Sequence, residues 1–296
     1  MPIPNNPLVS IIMPTYNRAA FILETIESIK AQTYTNWELL IMDDGSEDNT
    51  KEIVLAVKDE RIQYHPCGRV GITGILKNKA INLSKGAFIT FMDSDDLLAN
   101  DKIEKQVLAL QSNPQVGFCF TNCYDFNEQG KQRIYLAKQS GTDTGNFFTD
   151  ICRGKMLVFI QTVMLRRECL NKTGNFNENR IFTDFSFIAN LAHHYTAAVL
   201  YECLFFRRLH SGNNINANWQ IDYDEYIDAI STYKMQGYLS KAEANDILFY
   251  GWVNYGNACA QQNQPAKARQ NYIAAWRYKP LSIVPVKKLL KSYFVT

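Results

Sequence analysis

The sequence lacks several features that would place it in a specialised class of protein. Its 296 residues have a net charge of +2, so no strongly basic character indicates nucleic acid as a partner. The longest uncharged apolar run, 156–165, is far shorter than the roughly 20 residues of a membrane-spanning helix. A secretory signal has a basic segment followed by an apolar one, and the N-terminus has no such pair of segments. Composition therefore predicts a cytoplasmic protein with one large domain, or one domain and an appendage.

Familiar metal, redox and nucleotide motifs are also missing. The seven cysteines show no repeated CxxC spacing, which predicts reduced thiols. Cys119 and Cys123 are four residues apart, but no second Cys or His pair lies nearby, so we expect them to pack rather than bind zinc. No GxGxxG follows the first apolar run, and no P-loop is present. These absences disfavour a Rossmann dinucleotide site and a P-loop nucleotide site.

The first hundred residues alternate short apolar runs with helical patterns. The runs predict strands at 8–13 (stopped by Pro14), 37–42, 61–65 and 87–92, and Asn17 is a candidate cap for the first helix. This alternation predicts an α/β fold with a parallel, doubly wound sheet. Ligands of such sheets bind outside the carboxyl ends of the strands.

Three polar clusters follow these strands: Thr15-Tyr16-Asn17, Asp43-Asp44 and Asp93-Ser94-Asp95-Asp96. We expect them to lie at one edge of the sheet. Crowded carboxylates repel one another and are costly to desolvate, so their ionised forms need solvent or a cation. Mg²⁺ and Mn²⁺ prefer such oxygen ligands. The alternative is that Asp95 or Asp96 caps a helix starting near Leu97.

Two segments carry a resemblance to a known family. VSIIMPTYNRAAFILETIESIKAQTYTNWELLIMDDGSEDNT at 9–50, followed by GAFITFMDSDDLL at 86–98, resembles family 2 of the inverting glycosyltransferases, in particular bacterial members that build surface polysaccharides. The resemblance implies a GT-A fold, with a mixed, mainly parallel sheet flanked by helices. It also implies sugar transfer from a nucleotide diphosphate, with UDP favoured, to a glycan or lipid-linked acceptor. Mn²⁺ or Mg²⁺ would hold the diphosphate.

The resemblance assigns roles to the strand-end residues. Tyr16 would lie against the base, and Asp44 would accept a hydrogen bond from it. Asp95 would bind the metal, and Asp93 would face the ribose or a metal-bound water. Alternatively, Tyr16 is a half-buried loop aromatic and Asp44 a turn-forming residue before Gly45. Further donor contacts are expected from Pro14, Thr15, Asn17 and Ser94.

The chain departs from the family pattern at Lys77 and at Thr183, the residue before Asp184. Lys77 stands where family members usually carry Arg, and we expect it to contact the donor, or alternatively to be a solvated helix lysine. Asp184 is the candidate general base, which removes the proton of the acceptor hydroxyl as its oxygen attacks the anomeric carbon. Thr183 replaces the usual Glu before it. The alternative role of Asp184 is to cap the following helix.

The strand predicted at 198–206 ends in RRLH, which resembles the YRxH segment of the family. There Arg208 would contact the phosphates and His210 the metal or the diphosphate. Two further strands are predicted at 116–123 and 159–165, with an exposed loop at 128–146. The catalytic domain is predicted to span 1–218, with a donor half (1–100) and an acceptor half (101–218).

The remaining segment, 219–296, predicts a helical C-terminal appendage. Residues 257–280 resemble one tetratricopeptide-like unit. Residues 281–294 place Lys287, Lys288 and Lys291 beside Leu290 and other apolar residues. A basic amphipathic end of this kind can bind the inner face of a membrane, and a solvated terminal helix is the alternative.

The sequence thus predicts a metal-dependent glycosyltransferase, and other functions remain open. One is a catalytically inactive sugar-nucleotide-binding protein, which Thr183 and Lys77 favour. Another is an interaction protein that works through its helical tail. A nucleotidyltransferase is a weaker alternative, because its glycine-rich phosphate loop is missing.

Overall fold

A computed structural model of the chain describes residues 6–210 and 219–292, and it divides into two compact units, 1–213 and 214–296. The strands of the first unit are β1 (Val9–Thr15), β2 (Trp37–Asp43), β3 (Ile62–Pro66), β4 (Phe88–Phe91), β5 (Leu97–Leu98), β6 (Val116–Asn127), β7 (Gly130–Ile134), β8 (Thr142–Gly145), β9 (Val163–Arg166) and β10 (Thr196–Arg208). Its helices are α1 (Ile22–Lys30), α2 (Thr50–Ala56), α3 (Thr73–Leu83), α4 (Lys102–Ser112), α5 (Phe148–Cys152), α6 (Leu170–Thr173) and α7 (Asp184–His194).

The strands form one mixed sheet in the order β3-β2-β1-β4-β9-β6-β10-β5, with β7 beside β6 and β8 beside β10. β1 to β4 run parallel to one another, and β9 runs antiparallel to both β4 and β6. β10 is parallel to β6, so it runs in the same direction as β4. The α/β fold with a mixed, mainly parallel sheet is therefore confirmed, and β1 to β4 are parallel as the alternation in the first hundred residues predicts.

The core lies between the sheet and the apolar stripes of its helices. Ile22, Ile26 and Ile29 recur at helical spacing on α1 and are fully buried. They pack in one cluster with residues of β1, β2 and β4, all of which read as continuous apolar runs. Strands buried on both faces require such runs. This packing fixes the edge at which the acidic residues emerge.

Several local expectations are wrong at the ends of elements. Pro14 lies within β1 and does not stop it. The ladder between β1 and β4 runs from Val9 to Ile12, so Pro14, which has no N–H to donate, lies beyond its end. Asn17 has a φ of 50° and does not cap α1, which starts at Ile22 after Phe21. The acidic turn, residues 93–96, is followed by β5, and the next helix starts only at Lys102. Neither Asp95 nor Asp96 therefore caps a helix at Leu97.

The second half of the first unit also differs in detail from the sequence prediction. The segment predicted as one strand at 159–165 begins with a 3₁₀ turn at Ile160–Thr162 and becomes β9 only at Val163. The predicted loop at 128–146 contains β7 and β8. Short polar edge strands of this kind lack the apolar alternation that identifies strands in a sequence.

The second unit is helical, with α8 (Trp219–Met235), α9 (Lys241–Gln261), α10 (Pro265–Trp276) and α11 (Val284–Lys291). Ser240 and Glu243 form a reciprocal capping box at the start of α9. The contacts of α9 with α8 and α10 bury Phe249 and Tyr255. The likeness of this hairpin to a tetratricopeptide unit stays a prediction. No helix in 6–210 or 219–292 combines the length and apolar character needed to cross a membrane.

Candidate active site

The first three polar clusters meet at one edge of the sheet. Thr15 and Asp43 are register partners at the ends of β1 and β2, and the Asp44 N–H donates to Thr15 O at 2.9 Å. β4 ends beside β1, where the Met92 N–H donates to Ile12 O at 2.9 Å. The parallel order of these strands therefore brings together residues that are far apart in the chain, such as Ile12 and Met92.

At the end of β2, hydrogen-bond donors of the protein satisfy both carboxylates. Asp43 accepts from the Ser46 N–H at 2.7 Å and from Tyr64 Oη at 2.6 Å. Asp43, rather than Asp44, is thus the turn-forming aspartate. Asp44 accepts from the N–H groups of Val70 and Gly71, at 2.5 and 3.0 Å. Both carboxylates are buried, and these contacts hold them as fixed acceptors.

Arg69 joins two residues predicted to hold the base. Its guanidinium carbon lies 3.9 Å from the ring centroid of the half-buried Tyr16, and Nη1 is ion-paired with Asp44. A planar guanidinium stacks well on an aromatic face. Tyr16 and Asp44 therefore do lie side by side, and one side chain of the protein contacts both.

The other predicted residues at this edge have structural contacts or lie close by. The Asn17 side chain accepts from the Glu47 N–H at 2.8 Å, which ties the loop after β1 to the loop after β2. Thr15 is 3% exposed, and its Oγ1 has no hydrogen-bond partner in the part of the chain that is described. Ser94 is buried within the acidic turn. Pro14 lies within β1, in register with Met42 of β2.

The acidic turn, Asp93 to Asp96, follows β4. Asp93, Asp95 and Asp96 each offer a carboxylate oxygen, and these oxygens lie within 4.8 Å of one another. Gln161 Nε2 donates to Asp93, and the Arg208 N–H donates to Asp96 at 2.7 Å. Three carboxylates thus share a small, poorly hydrated space.

Electrostatics reflects this crowding. Burial, together with the charge of Asp95, raises the pKa of Asp93 to about 6. Burial and the charge of Asp93 raise the pKa of Asp96 well above its usual range. In both cases the larger cause is desolvation, which raises the pKa by penalising the ionised carboxylate. A bound cation would offset both effects.

Basic side chains converge on Asp95. Arg18 Nε donates to Asp95 Oδ2 at 2.9 Å, and His210 Nε2 lies 3.0 Å from the same oxygen. Arg208 donates from Nε to the Asp95 carbonyl at 2.9 Å and also pairs with Glu24. The predicted residues Asp95, Arg208 and His210 are thus brought together. Carboxylate oxygens beside an imidazole are a donor set that fits Mn²⁺ or Mg²⁺.

Asp184 is the first residue of α7, and its charge, like that of Lys77, acts on Asp93 of the acidic turn. Its Oδ1 accepts from Lys77 Nζ at 2.5 Å. Thr183 precedes the helix, and no side-chain hydrogen bond caps it, so the capping alternative for Asp184 is wrong. Lys77 is 3% exposed, so the reading of a solvated helix lysine is wrong as well.

Sequence reasoning missed four residues of this region. Arg18 contacts Asp95, Arg69 contacts Asp44, and Gln161 contacts Asp93. Asn78 exchanges hydrogen bonds with the backbone of Phe176. A signal was present for Gln161, the lone amide in an apolar run, and for Arg18, which directly follows the first polar cluster.

Comparisons with known proteins identify the family and the fold. The family described as Glycosyl transferase family 2 matches residues 10–174. The chain is 31% identical over 224 residues to TuaG of Bacillus subtilis (strain 168), a putative teichuronic acid biosynthesis glycosyltransferase, covering 72% of this chain and 82% of that protein. It is 38% identical over 139 residues to WfgD of Escherichia coli, a UDP-Glc:alpha-D-GlcNAc-diphosphoundecaprenol beta-1,3-glucosyltransferase, covering 46% of this chain and 53% of that one.

Some relatives are much longer than the matched region. An uncharacterized glycosyltransferase of Rickettsia conorii is 36% identical over 171 residues, which are 56% of this chain and only 28% of that protein. The chain therefore corresponds to between about a quarter and half of the length of several curated relatives.

Solved structures share the fold. S. aureus TarS 1-349 in complex with UDP-GlcNAc has a TM-score of 0.72 at 17% identity, covering 96% of this chain and 89% of that one. The mannosyltransferase PcManGT from Pyrobaculum calidifontis, in complex with GDP-Man and Mn²⁺, has a TM-score of 0.62 at 16% identity, covering 99% and 82%. With the fold, the converging strand ends and the matched sequence in agreement, the chain belongs to glycosyltransferase family 2.

Proposed function

We propose that the chain is an inverting glycosyltransferase that moves a sugar from a UDP-linked donor to a glycan or lipid-linked acceptor. The observation that carries the proposal is the convergence of the acidic turn, Arg208 and His210 at the edge that also holds Asp44. The names of WfgD and TuaG support a role in building bacterial polysaccharides, and the UDP-GlcNAc of the TarS complex supports a UDP donor.

A divalent cation, Mn²⁺ or Mg²⁺, would be held by Asp95 and His210, and when bound it would supply positive charge for the departing diphosphate. Mn²⁺ in the PcManGT complex supports this choice. Arg208 places a second, permanent positive charge at the same end of β10. Asp93 would face the ribose or a water on the cation.

Recognition of the nucleotide would fall to the ends of β1 and β2. Asp44 is a fixed acceptor because backbone N–H groups hold its carboxylate, which suits the ring N–H of uracil. Tyr16 offers an aromatic face beside it, where a base can stack. Donor contacts of Pro14, Thr15, Asn17 and Ser94 belong to the same proposal.

Asp184 would act as the general base. An inverting displacement needs one carboxylate that removes the proton of the acceptor hydroxyl while its oxygen attacks the anomeric carbon. The side chain of Asp184 is 38% exposed, so an acceptor can reach it. A positioned base of this kind contributes about 10²- to 10⁴-fold to the rate.

Calorimetric titration with UDP, with and without Mn²⁺, tests the donor site in the wild type and in Asp95→Ala. We expect Mn²⁺-dependent binding that Asp95→Ala abolishes. Asp143→Ala is the matched control, because Asp143 is an exposed aspartate of β8 whose side chain contacts Lys138 and Tyr201 and none of the candidate site residues among those that the structure describes. If neither UDP, GDP nor dTDP binds under any metal condition, the proposal is wrong.

Turnover then separates an enzyme from an inactive binding protein. UDP release from a panel of UDP-sugars is measured with the wild type and with Asp184→Asn. We expect release that Asp184→Asn lowers by about 10²-fold or more. Intact donor binding without any release would favour the inactive alternative.

We also propose that α11 contacts an anionic membrane surface. Leu281, Ile283 and Leu290 are 98%, 62% and 56% exposed, and Lys287 and Lys288 are exposed beside them. Exposed apolar residues next to lysines fit the interface of a bilayer with negatively charged lipids. Such contact would bring the enzyme to a lipid-linked acceptor.

Sedimentation with vesicles tests the membrane contact. We expect binding to vesicles of phosphatidylglycerol and phosphatidylcholine, and weak binding to phosphatidylcholine alone. Lys287→Glu with Lys288→Glu should abolish binding, because each lysine near an anionic surface contributes about 1 kcal/mol. Lys241→Glu, at the start of α9, is the control. Equal binding by the double variant would contradict the contact.

A further inference from the structure

Two neighbouring residues of α3 contact the segment that leads to Asp184. Asn78 Oδ1 accepts from the Phe176 N–H at 3.0 Å, and its Nδ2 donates to Phe176 O and to Glu178 Oε1, each at 2.9 Å. Lys77, the preceding residue, pairs with Asp184 itself. One helix therefore fixes both the start of this segment and the carboxylate at its end.

Aromatic packing anchors the segment on both sides of these contacts. The rings of Phe176 and Phe187 stack with centroids 4.0 Å apart and an interplanar angle of 11°. Phe91, the last residue of β4, packs edge-on against both rings. The first turn of α7, which contains Asp184 and Phe187, is thus anchored to the sheet and to α3.

The ion pair itself is asymmetric. The Lys77 side chain is 4% exposed and lies with Nζ 5.0 Å from the centroid of Phe176, whereas that of Asp184 is 38% exposed. A buried ammonium without a counter-charge is strongly destabilising. The charge of Lys77 also acts on Asp93, but Asp184 is the carboxylate to which its ammonium is hydrogen-bonded. The pair is therefore fixed from its buried side.

Only one oxygen of Asp184 is used by this contact. Lys77 binds Oδ1, and within 6–210 and 219–292 no other side-chain or backbone donor is hydrogen-bonded to the carboxylate. Oδ2 is left as an acceptor on the more exposed member of the pair. A base that is held through one oxygen presents the other in a defined direction.

We propose that Lys77 is a positioning residue for Asp184, holding Oδ1 so that Oδ2 takes the proton of the acceptor hydroxyl. The inference rests on the proposed function, in which Asp184 is the general base. It gives Lys77 a different role from the donor contact that the sequence predicts. A phosphate contact would require the ammonium to leave Asp184, whereas positioning requires it to stay.

Four variants separate these roles: Lys77→Met, Lys77→Arg, Asp184→Asn and the double variant Lys77→Met/Asp184→Asn. Lys79→Met is the control, because Lys79 lies on the same helix but is exposed. UDP affinity is measured by calorimetry, and turnover as UDP released from the donor sugar that the wild type uses. Wild-type affinity for UDP also reports that a variant is folded.

We expect Lys77→Met to lower the turnover number by roughly 10- to 100-fold, as misplacement of a reacting group does. The Kd of UDP and the KM of the donor should stay within about twofold, because neither depends on the base. Lys77→Arg keeps the cation and should recover part of the loss. The double variant should be no slower than Asp184→Asn alone, because Lys77 acts through Asp184.

Other results would overturn the inference. Tenfold weaker UDP binding by Lys77→Met with an unchanged turnover number would place the ammonium on the diphosphate. Losses that multiply in the double variant would show that Lys77 acts independently of Asp184. Full turnover by Asp184→Asn would remove the base itself. A wild type that releases UDP from no donor would instead overturn the proposed function, and this inference with it.

Discussion

At the end of β2, the carboxylates of Asp43 and Asp44 receive hydrogen bonds from backbone N–H groups and from Tyr64, whereas at the end of β4 three carboxylates face one another. Both ends lie at the same edge of the same sheet, and both carry consecutive acidic residues. The pKa values of Asp93 and Asp96 at the second end are raised by burial and by their neighbours.

The difference lies in the number of carboxylates that crowd together rather than in the residue type. A carboxylate satisfied by fixed N–H groups is an oriented acceptor, and it suits a ligand that brings an N–H of its own. Three carboxylates within 4.8 Å of one another repel even though each has a hydrogen-bond donor, and a cation can offset that repulsion. Under the proposed function, the same residue type would therefore serve base recognition at β2 and metal binding at the acidic turn.

The largest expected effect is the response of the acidic turn to metal. Mn²⁺ at a hundred times its Kd should stabilise the wild type by about 2.7 kcal/mol, which corresponds to a rise in Tm of about 5–10 °C. Asp95→Asn should abolish this rise and lower the metal-free Tm, because Arg18 and His210 lose the carboxylate with which they pair. Differential scanning calorimetry without nucleotide measures both.

The matched change at β2 is Asp44→Asn. It should leave the Mn²⁺-induced rise in Tm intact, because Asp44 is held by N–H donors and not by a shared cation. A rise lost equally in both variants would show that the two strand ends form one electrostatic unit, and the comparison would then be wrong.

A second effect of Asp44→Asn concerns the base. Hydrogen bonds to charged groups are worth about 1.5–3 kcal/mol, so UDP should bind about 10- to 100-fold more weakly. An amide can also donate to the ring nitrogen of cytosine, so the variant should discriminate less against CDP. Calorimetry with both nucleotides in Mn²⁺ measures the ratio. An equal loss for UDP and CDP would mean that Asp44 does not contact the base.

How far these sites follow from the sequence depends on distance along the chain. Asp44, Asp93 and Asp95 were predictable, because each follows a local apolar run whose end is visible in the residues themselves. The pairing of Lys77 with Asp184 spans 107 residues, and no local pattern encodes it. The insertion of β9 between β4 and β6 is non-local too, and it places Gln161 beside Asp93. Turn chemistry was misread at Asn17, where a φ of 50° replaces the expected helix cap.

A smaller effect is expected at Arg69, which stacks on Tyr16 and pairs with Asp44. The base would have to displace Arg69 in order to contact Tyr16 and Asp44. An exposed cation–π contact and a surface ion pair are each worth up to about 1 kcal/mol, so Arg69→Ala should tighten UDP binding by roughly three- to tenfold. Arg61→Ala is the control. The guanidinium carbon of Arg61 lies 3.7 Å from the ring centroid of Trp37, and this stacked pair is away from the site. Weaker binding by Arg69→Ala would show that the guanidinium contacts the nucleotide and does not compete with it.

The smallest effects concern single donors at the two strand ends. Tyr64→Phe removes one donor from Asp43 and should lower the free energy of unfolding by about 1 kcal/mol, or about 2–4 °C in Tm. Gln161→Leu removes the donor of Asp93 and should cost a similar amount without metal. Mn²⁺ should restore Gln161→Leu but not Tyr64→Phe, because a cation can replace a missing donor only where carboxylates share it. Restoration of both variants, or of neither, would mean that the crowding of carboxylates does not distinguish the two ends.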